Sequence, residues 1–253
     1  MNDIYRLDGQ LSLVTGASKG IGAAVAKALA RQGSDVLLLA RDIQKLNAVA
    51  DDIRAMGRDA KTFQVDVSDT AQVNAFLGSQ KAILEKLDNY INNAGFTVYK
   101  TFMESSVEDL DNLVAVNVRG AISLVHGVAG FMKKRGAGCI TFVTSINGLN
   151  PLPSQAFYSS TKAMLESLMK SMAVELAGYG IRVNSVVPGA INTDMNPHFS
   201  DPERLKRTEE KIPCGRVGIS EEIADVAAFL CSGAARYMYG SSVVVDGGFS
   251  LRK

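Results

Sequence analysis

Leu11-Ser12-Leu13-Val14-Thr15-Gly16-Ala17-Ser18-Lys19-Gly20-Ile21-Gly22 begins as an apolar run of strand length, breaks into glycines and leads into a helical pattern carried by Ile21, Val25, Ala28 and Leu29. Gly33 closes that pattern where a C′ glycine belongs. A glycine turn between strand and helix lets backbone approach a dinucleotide pyrophosphate that a Cβ would obstruct, and the helix N-terminus favours its charge. The spacing is Gly-x-x-x-Gly-x-Gly rather than Gly-x-Gly-x-x-Gly, so the turn alone does not separate a nucleotide site from a structural corner.

Outward from that turn, apolar runs of strand length recur at Val36 to Ala40, Thr62 to Val65, Asn89 to Asn92, Cys139 to Ser145, Arg182 to Val187 and Ser242 to Val245. Helix-patterned stretches separate them. Together with Leu11 to Thr15 they predict an α/β fold: a single Rossmann-like domain over residues 1–253, with a doubly wound seven-stranded parallel sheet and helices on both faces. The longest segment without clear periodicity, about 190–212, contains Pro197 and Pro202 and is expected to be a substrate lid.

The 253 residues carry 27 Lys+Arg against 26 Asp+Glu, so no global field favours nucleic acid or an anionic membrane. No uninterrupted apolar run reaches the roughly 18 residues that a membrane span needs, and Met1-Asn2-Asp3-Ile4-Tyr5-Arg6 lacks a secretory pattern, so a cytoplasmic protein is expected. Cys139, Cys214 and Cys231 are odd in number and form no Cys-x-x-Cys pair, which predicts free thiols rather than disulfides or a zinc site.

Tyr158 and Lys162 stand four residues apart, thirteen after Ser145. On a helix they share a face, where an ammonium favours a phenolate. A tyrosine that works as acid and base near neutrality needs its pKa moved by ~3 units from about 10, or ~4 kcal/mol, and Lys162 is expected to supply much of it. Ser145 ends an apolar strand, at the edge where such sheets bind ligands, and can donate to a carbonyl oxygen. The turn and the Tyr-Lys pair together point to a nicotinamide-dependent oxidoreductase. Gly16-Ala17-Ser18-Lys19-Gly20 also spells a Gly-x-Ser-x-Gly nucleophile elbow, but a hydrolase needs a histidine placed for a triad, and the chain has only His126, in a helical stretch, and His198, in the irregular segment.

Thr15 to Gly22, Asn92-Asn93-Ala94-Gly95, Asn117, Ser145, Tyr158-Ser159-Ser160-Thr161-Lys162, Pro188-Gly189 and Val245-Asp246-Gly247-Gly248 closely resemble, in order, the motifs of the short-chain dehydrogenase/reductase family, in a 3-oxoacyl-reductase-like or ketoreductase-like form. The resemblance covers nearly the whole chain. It implies catalytic roles for Asn117, Ser145, Tyr158 and Lys162, with Asn117 helping to hold a water for proton relay and Lys162 also binding the nicotinamide ribose. It implies a cofactor site at Gly16, Ser18, Lys19, Gly20, Ile21 and Gly22, with Asp66 and Val67 at adenine, Asn93, Ala94 and Gly95 beside its ribose, and Pro188, Gly189, Ile191 and Thr193 near the nicotinamide.

Ala40 stands where NAD enzymes of the resembling family carry an acidic ribose ligand, while Arg41 and Lys19 offer cations to a 2′-phosphate. NADP is therefore expected, with NAD possible if Asp42 turns to the ribose. Phe96, Ile146, Asn147, Leu152, Ala190, Met195 and Phe199 are expected to line the substrate pocket, a mostly apolar set that favours a compact ketone or secondary alcohol. An NAD-dependent sugar or polyol dehydrogenase on the same scaffold is the alternative; a cofactor-sensing Rossmann protein would need none of the catalytic side chains. No metal is expected, since phenol and serine already stabilise an alkoxide. Lys133-Lys134-Arg135 reads as a solvated helix end; relatives that take acyl carrier protein use basic residues there, but Tyr179 before Gly180 departs from their pattern. The expected partners are a small-molecule ketone or alcohol and further copies of the chain, most simply as a tetramer.

Overall fold

The computed structural model describes residues 4–251. Seven strands, β1 (Leu11–Thr15), β2 (Asp35–Ala40), β3 (Ala60–Gln64), β4 (Asn89–Asn92), β5 (Gly138–Val143), β6 (Ile181–Pro188) and β7 (Ser242–Val245), form one sheet in the order β3-β2-β1-β4-β5-β6-β7, every pair parallel. The topological switch lies between β1 and β4, and the carboxyl ends of both strands face the crevice where such sheets take ligands.

Alternation along the strands divides the core. Val14, Leu38, Ile91 and Val186 face a layer made by α1 (Gly20–Arg31), α2 (Ile43–Ala55) and, near the end of the chain, the helix Ser220–Cys231. Leu13, Leu37, Tyr90 and Val183 face the opposite layer, made by α3 (Thr70–Ser79), the helical stretch Val107–Arg135 and the long helix Ala156–Leu176. Both faces are covered, so the central strands are buried along nearly their whole length, while the edge strand β3 exposes Lys61 and Gln64. Gln32 caps α1 and Gly33 follows with φ 104°, as the C′ position predicts.

Numbered in chain order, α4 is the single turn Lys81–Leu84, α5 is Val107–Leu113, α6 is Ala121–Arg135, α7 is Ala156–Leu176, α8 is Pro202–Glu209 and α9 is Ser220–Cys231. Between α5 and α6 the chain winds as a π-helix over Val114–Gly120. By length and composition the continuous helical stretch Val107–Arg135 could cross a membrane; half of its apolar window is packed inside the fold against the sheet and α7.

Two expectations change in detail. The strand expected over Cys139 to Ser145 ends at Val143, and Ser145 instead caps a short 3-10 turn, Ile146–Gly148, accepting from the Asn147 N–H at 3.2 Å. The segment 190–212 is not irregular throughout. Asp201 caps α8 with Pro202 at its first position, and the helix has no buried residue, so no apolar period marks it. All three cysteines are free, as expected; Cys139 and Cys231 are buried beside each other, and Cys214 is exposed.

Candidate active site

A cavity of about 830 Å³ runs along the carboxyl edge of the sheet. Its cofactor half is built on the β1–α1 turn. Gly16 and Gly20 adopt left-handed φ values of 66° and 55°, and a Cβ on Gly22 would stand 2.3 Å from the Gly16 carbonyl oxygen, so the turn closes only on glycine. Asn93 braces it from β4: its side-chain amide donates to the carbonyls of Thr15 at 2.9 Å and Gly16 at 3.3 Å, while the Thr15 hydroxyl accepts from the N–H groups of Asn93 and Ala94. Asn93 thus holds the turn itself.

Ser18, Lys19, Gly20, Ile21, Arg41, Asp66, Val67, Ala94, Gly95, Pro188, Gly189, Ile191 and Thr193 line the same cavity as Gly16, Gly22 and Asn93, so every residue expected to hold a dinucleotide is brought to it. At the end of β2, Ala40 is buried and places no carboxylate there. Arg41 and Lys19 are exposed; Lys19 reaches Asp194 at 3.0 Å, and Arg41 lies 3.9 Å from Asp66. The Asp42 carboxylate is the N-cap of α2, accepting from the Lys45 N–H at 3.1 Å. One Asp42 oxygen thus caps α2, while the other lies 3.7 Å from Lys45 Nζ, and the residue lines the cavity. Lys45 lines the wall as a third cation, which the sequence reading passed over because it sits a turn inside the helix. A glycine cradle, cations and an absent carboxylate fit a phosphorylated dinucleotide.

The catalytic half stands on α7. Tyr158, Thr161, Lys162, Leu165, Glu166, Met169 and Ala173 are its buried stripe, spaced three and four apart. The Ser145 turn seats directly against that helix, because Gly148 has no side chain: a Cβ there would lie 2.8 Å from the Lys162 carbonyl carbon. The contact brings the Ser145 hydroxyl to the Tyr158 phenol, where it favours the phenolate. Burial outweighs that interaction, and the Tyr158 pKa is pushed up to about 12. Lys162 Nζ lies 5.7 Å from the phenol ring centroid and donates to the Val143 carbonyl at 3.1 Å. Burial depresses its own pKa to about 8, opposed by the Glu166 charge. The expected downward tuning of Tyr158 by Lys162 is thus absent in the protein alone, where the tyrosine stays a proton-bearing phenol.

Asn117 is the one expected site residue that does not line the cavity. Buried in the π-helical segment, its amide nitrogen donates to the Phe96 carbonyl at 3.0 Å and the Thr161 hydroxyl at 3.2 Å, and its oxygen accepts from the Phe96 N–H at 3.0 Å. Both side-chain donors are spent on bracing the β4 loop against α7. Such π turns gather at functional sites.

Phe96, Ile146, Asn147, Leu152, Ala190, Met195 and Phe199 all line the far end of the cavity, but the apolar description of that end needs correction. Thr97, Tyr99, Gln155, Asn196 and His198 line it too. They come from separate loops, so only the folded chain assembles them. The Tyr99 hydroxyl reaches Asn196 Oδ1 at 2.5 Å, and its ring meets His198 edge-on at 5.1 Å.

The seven-stranded parallel fold with this dinucleotide cradle and a Ser-Tyr-Lys constellation defines a Rossmann-type oxidoreductase. A family profile described as enoyl-(acyl carrier protein) reductase matches residues 16–250. An L-rhamnose 1-dehydrogenase (NAD(P)(+)) of a Sphingomonas species is 36% identical, over 96% of this chain and 96% of the relative. A short-chain type dehydrogenase/reductase from Mycobacterium marinum superposes with a TM-score of 0.92 at 36% identity, covering 98% of both chains. A gluconate 5-dehydrogenase from Burkholderia cenocepacia, crystallised with NADP and tartrate, superposes with a TM-score of 0.94 at 31% identity over 99% of both. The chain belongs to the short-chain dehydrogenase/reductase family.

Proposed function

We propose that the protein interconverts a secondary alcohol and a ketone with NADP(H). The observation that carries this reading is the convergence of Ser145, Tyr158 and Lys162 on the wall of the cavity that also holds the glycine turn, Lys19 and Arg41. NADP, when bound, supplies the hydride acceptor or donor: oxidation takes a hydride from the carbinol carbon and a proton from its hydroxyl, leaving ketone, NADPH and H⁺.

In the reductive direction Ser145 donates to the carbonyl oxygen and holds it against the phenol. Tyr158, protonated at neutral pH with its pKa near 12, gives its proton to the forming alkoxide. Lys162 meets the ribose and carries positive charge towards the phenolate left behind, while Asn117 keeps the Gly95–Phe96 loop and α7 in register. Lys19 and Arg41 hold the 2′-phosphate, and part of segment 190–212 closes over the substrate. A homotetramer belongs to the same reading, supported by Val107 on α5 and Met164 and Val174 on α7, which remain exposed. So does a cytoplasmic setting, in keeping with three free cysteines among the described residues.

Absorbance of the reduced cofactor, followed over a panel of alcohols and ketones with NADP and NAD compared at each, tests the reading. Alcohol-dependent reduction of NADP is expected. A protein that binds NADP and turns over no member would be a cofactor sensor instead.

A further inference from the structure

Three cations line the wall assigned above to the 2′-phosphate, and each already faces a carboxylate. Lys19 Nζ meets Asp194 Oδ2 at 3.0 Å, Lys45 Nζ lies 3.7 Å from Asp42 Oδ2, and Arg41 Nη1 lies 3.9 Å from Asp66 Oδ2. All six residues line the cavity. Their charges cancel pairwise, so the wall that attracts a phosphate carries little net charge of its own.

The three carboxylates differ in what else holds them. Asp42 Oδ1 accepts from the Lys45 N–H at 3.1 Å, and Asp66 Oδ1 accepts from the Ser68 N–H at 2.9 Å and the Ser68 hydroxyl at 2.7 Å. Both are tied to the backbone of their own loops. Asp194 has the Lys19 ammonium as its one side-chain hydrogen-bond partner among the described residues. It arrives from 175 positions along the chain, on the segment after β6, whose Thr193 Cγ2 would stand 3.6 Å from a Cβ on Gly20. The Lys19 hydrogen bond and charge, and then the charge of Lys45, hold the Asp194 carboxyl below its ordinary range, so two of the three cations feel it. The side chains of Lys19 and Asp194 are 56% and 69% exposed, and solvated pairs of this kind exchange readily.

On the basis of the NADP reading above, we infer that Asp194 sets how strongly the protein prefers NADP to NAD, by occupying Lys19 as a built-in competitor of the 2′-phosphate. A phosphate monoester carries about two negative charges and outbids a single carboxylate for the ammonium. Lys19 has hydrogens enough for both, but two anions on one ammonium lie within a few ångströms of each other and repel. NAD has a hydroxyl in place of the phosphate and leaves the Lys19–Asp194 pair intact. The exchange therefore costs NADP alone, and it lowers a preference that Lys19 and Arg41 would otherwise make larger. Asp194 is thus a specificity residue outside the end of β2, carried by the segment that also borders the substrate.

Equilibrium binding decides this without turnover. NADPH and NADH are titrated by nucleotide fluorescence, and adenosine 2′,5′-bisphosphate and AMP by calorimetry, against the wild type, Asp194→Asn, Lys19→Met and the double variant. Asp194→Asn should tighten NADPH and the bisphosphate by at least about threefold, the scale of one solvated ion pair, and leave NADH and AMP within about twofold. In the Lys19→Met background the same substitution should change bisphosphate binding by less than about twofold, because the two residues act as one pair. An unchanged Asp194→Asn, or a gain that NADH and AMP share, would overturn the role of Asp194 and leave the NADP reading standing wherever the wild type still prefers NADPH. A gain of equal size without Lys19 would show plain repulsion of the phosphate and overturn the competition. A wild type and an Asp194→Asn variant that both bind AMP as tightly as the bisphosphate would overturn the NADP reading as well.

Discussion

Glu166 stands one helical turn beyond Lys162, with each carboxylate oxygen held by a hydroxyl, from Thr144 at 2.5 Å and from Ser242 at 2.6 Å. Both oxygens thus serve as acceptors. The clamp ties α7 to the β5 end, next to Ser145, and to the start of β7. It also supplies the charge that raises the Lys162 pKa against burial. Facing Lys162 are Tyr158 and Glu166 from its own helix, the Val143 carbonyl from β5 and, around Gly95, the neutral Asn117.

Removal of that charge should make Lys162 easier to deprotonate. In Glu166→Gln the alkaline limb of the pH–rate profile should move to lower pH, with the shape of the acid side unchanged. Ser242→Ala, which loosens the clamp but keeps the charge, should hold the wild-type limb. Superimposable profiles for wild type and Glu166→Gln would show that the carboxylate serves packing alone.

Lys162 also carries a stability cost with a defined sign. Its folded pKa of about 8 lies below the unfolded value of about 10.4, so between these values the unfolded chain binds more protons and folding gains stability as pH rises. The contribution is complete above pH ~10.4 and is lost as pH falls through 8. Lys162→Met, which lacks the group, should therefore compare best with wild type at pH 7 and progressively worse up to pH 10, by up to ~1.4 kcal/mol per pH unit. Urea unfolding of both proteins at intervals of pH measures this; a pH-independent difference would contradict it.

Tyr158→Phe removes the transferable proton and keeps the ring that packs in the site. Turnover should fall by at least about 100-fold, the scale of general acid catalysis, while NADPH affinity by fluorescence titration stays within about twofold. A near-native rate in this variant is incompatible with the mechanism.

Cofactor choice should follow the end of β2. Ala40→Asp combined with Arg41→Leu introduces a repulsive carboxylate and removes a cation whose hydrogen bonds to phosphate are worth ~1.5–3 kcal/mol each. The ratio of kcat/KM for NADP over NAD should fall by at least about tenfold, or ~1.4 kcal/mol. Because Asp42 is committed to capping α2, Asp42→Ser should leave the ratio nearly unchanged. A large swing from Asp42→Ser would reverse the roles assigned to these two residues.

Sedimentation at micromolar protein should show a tetramer, and Val174→Asp, at an exposed apolar position of α7, should shift it towards smaller species. Wild-type protein that runs only as a monomer would remove the tetramer from the reading.

Much of this molecule is legible in its sequence because the information is local. The β1 glycines, the stripe from Tyr158 to Ala173 and the apolar strands each declare themselves within a few residues, and the strand boundaries at Leu11–Thr15, Asn89–Asn92 and Ser242–Val245 coincide with the apolar runs. Asn147 is among the expected pocket residues, but the bonds that join it to Gln155 and Gln155 to Thr97 escaped, because Thr97, Asn147 and Gln155 are 50 and 8 positions apart and meet only when two loops close on α7. Helix α8 escaped for the opposite reason: it buries nothing, so its signal was the Asp201-Pro202 start alone. The neighbouring Cys139 and Cys231 thiols, on β5 and α9, are likewise a product of the tertiary fold.

The π-helical segment has a consequence for how the gene can change. A π turn holds more residues than the 3.6 of an α turn, so Val114–Gly120 stores surplus chain between two rods that are each in ordinary register. Deletion of one residue there would allow a continuous α-helix and, because six residues at about 3.6 per turn wind about as far as seven in the wider π form, would leave the parts on either side close to their present register. The apolar stripe of α6 would stay on the sheet, while side chains inside the segment would be re-aimed, Asn117 with its bonds to Phe96 among them. The surplus residue therefore serves the loop that Asn117 braces rather than the packing of the two rods: in a deletion scan of the coding sequence, loss of one residue in this seven-residue window should leave a folded protein with impaired turnover.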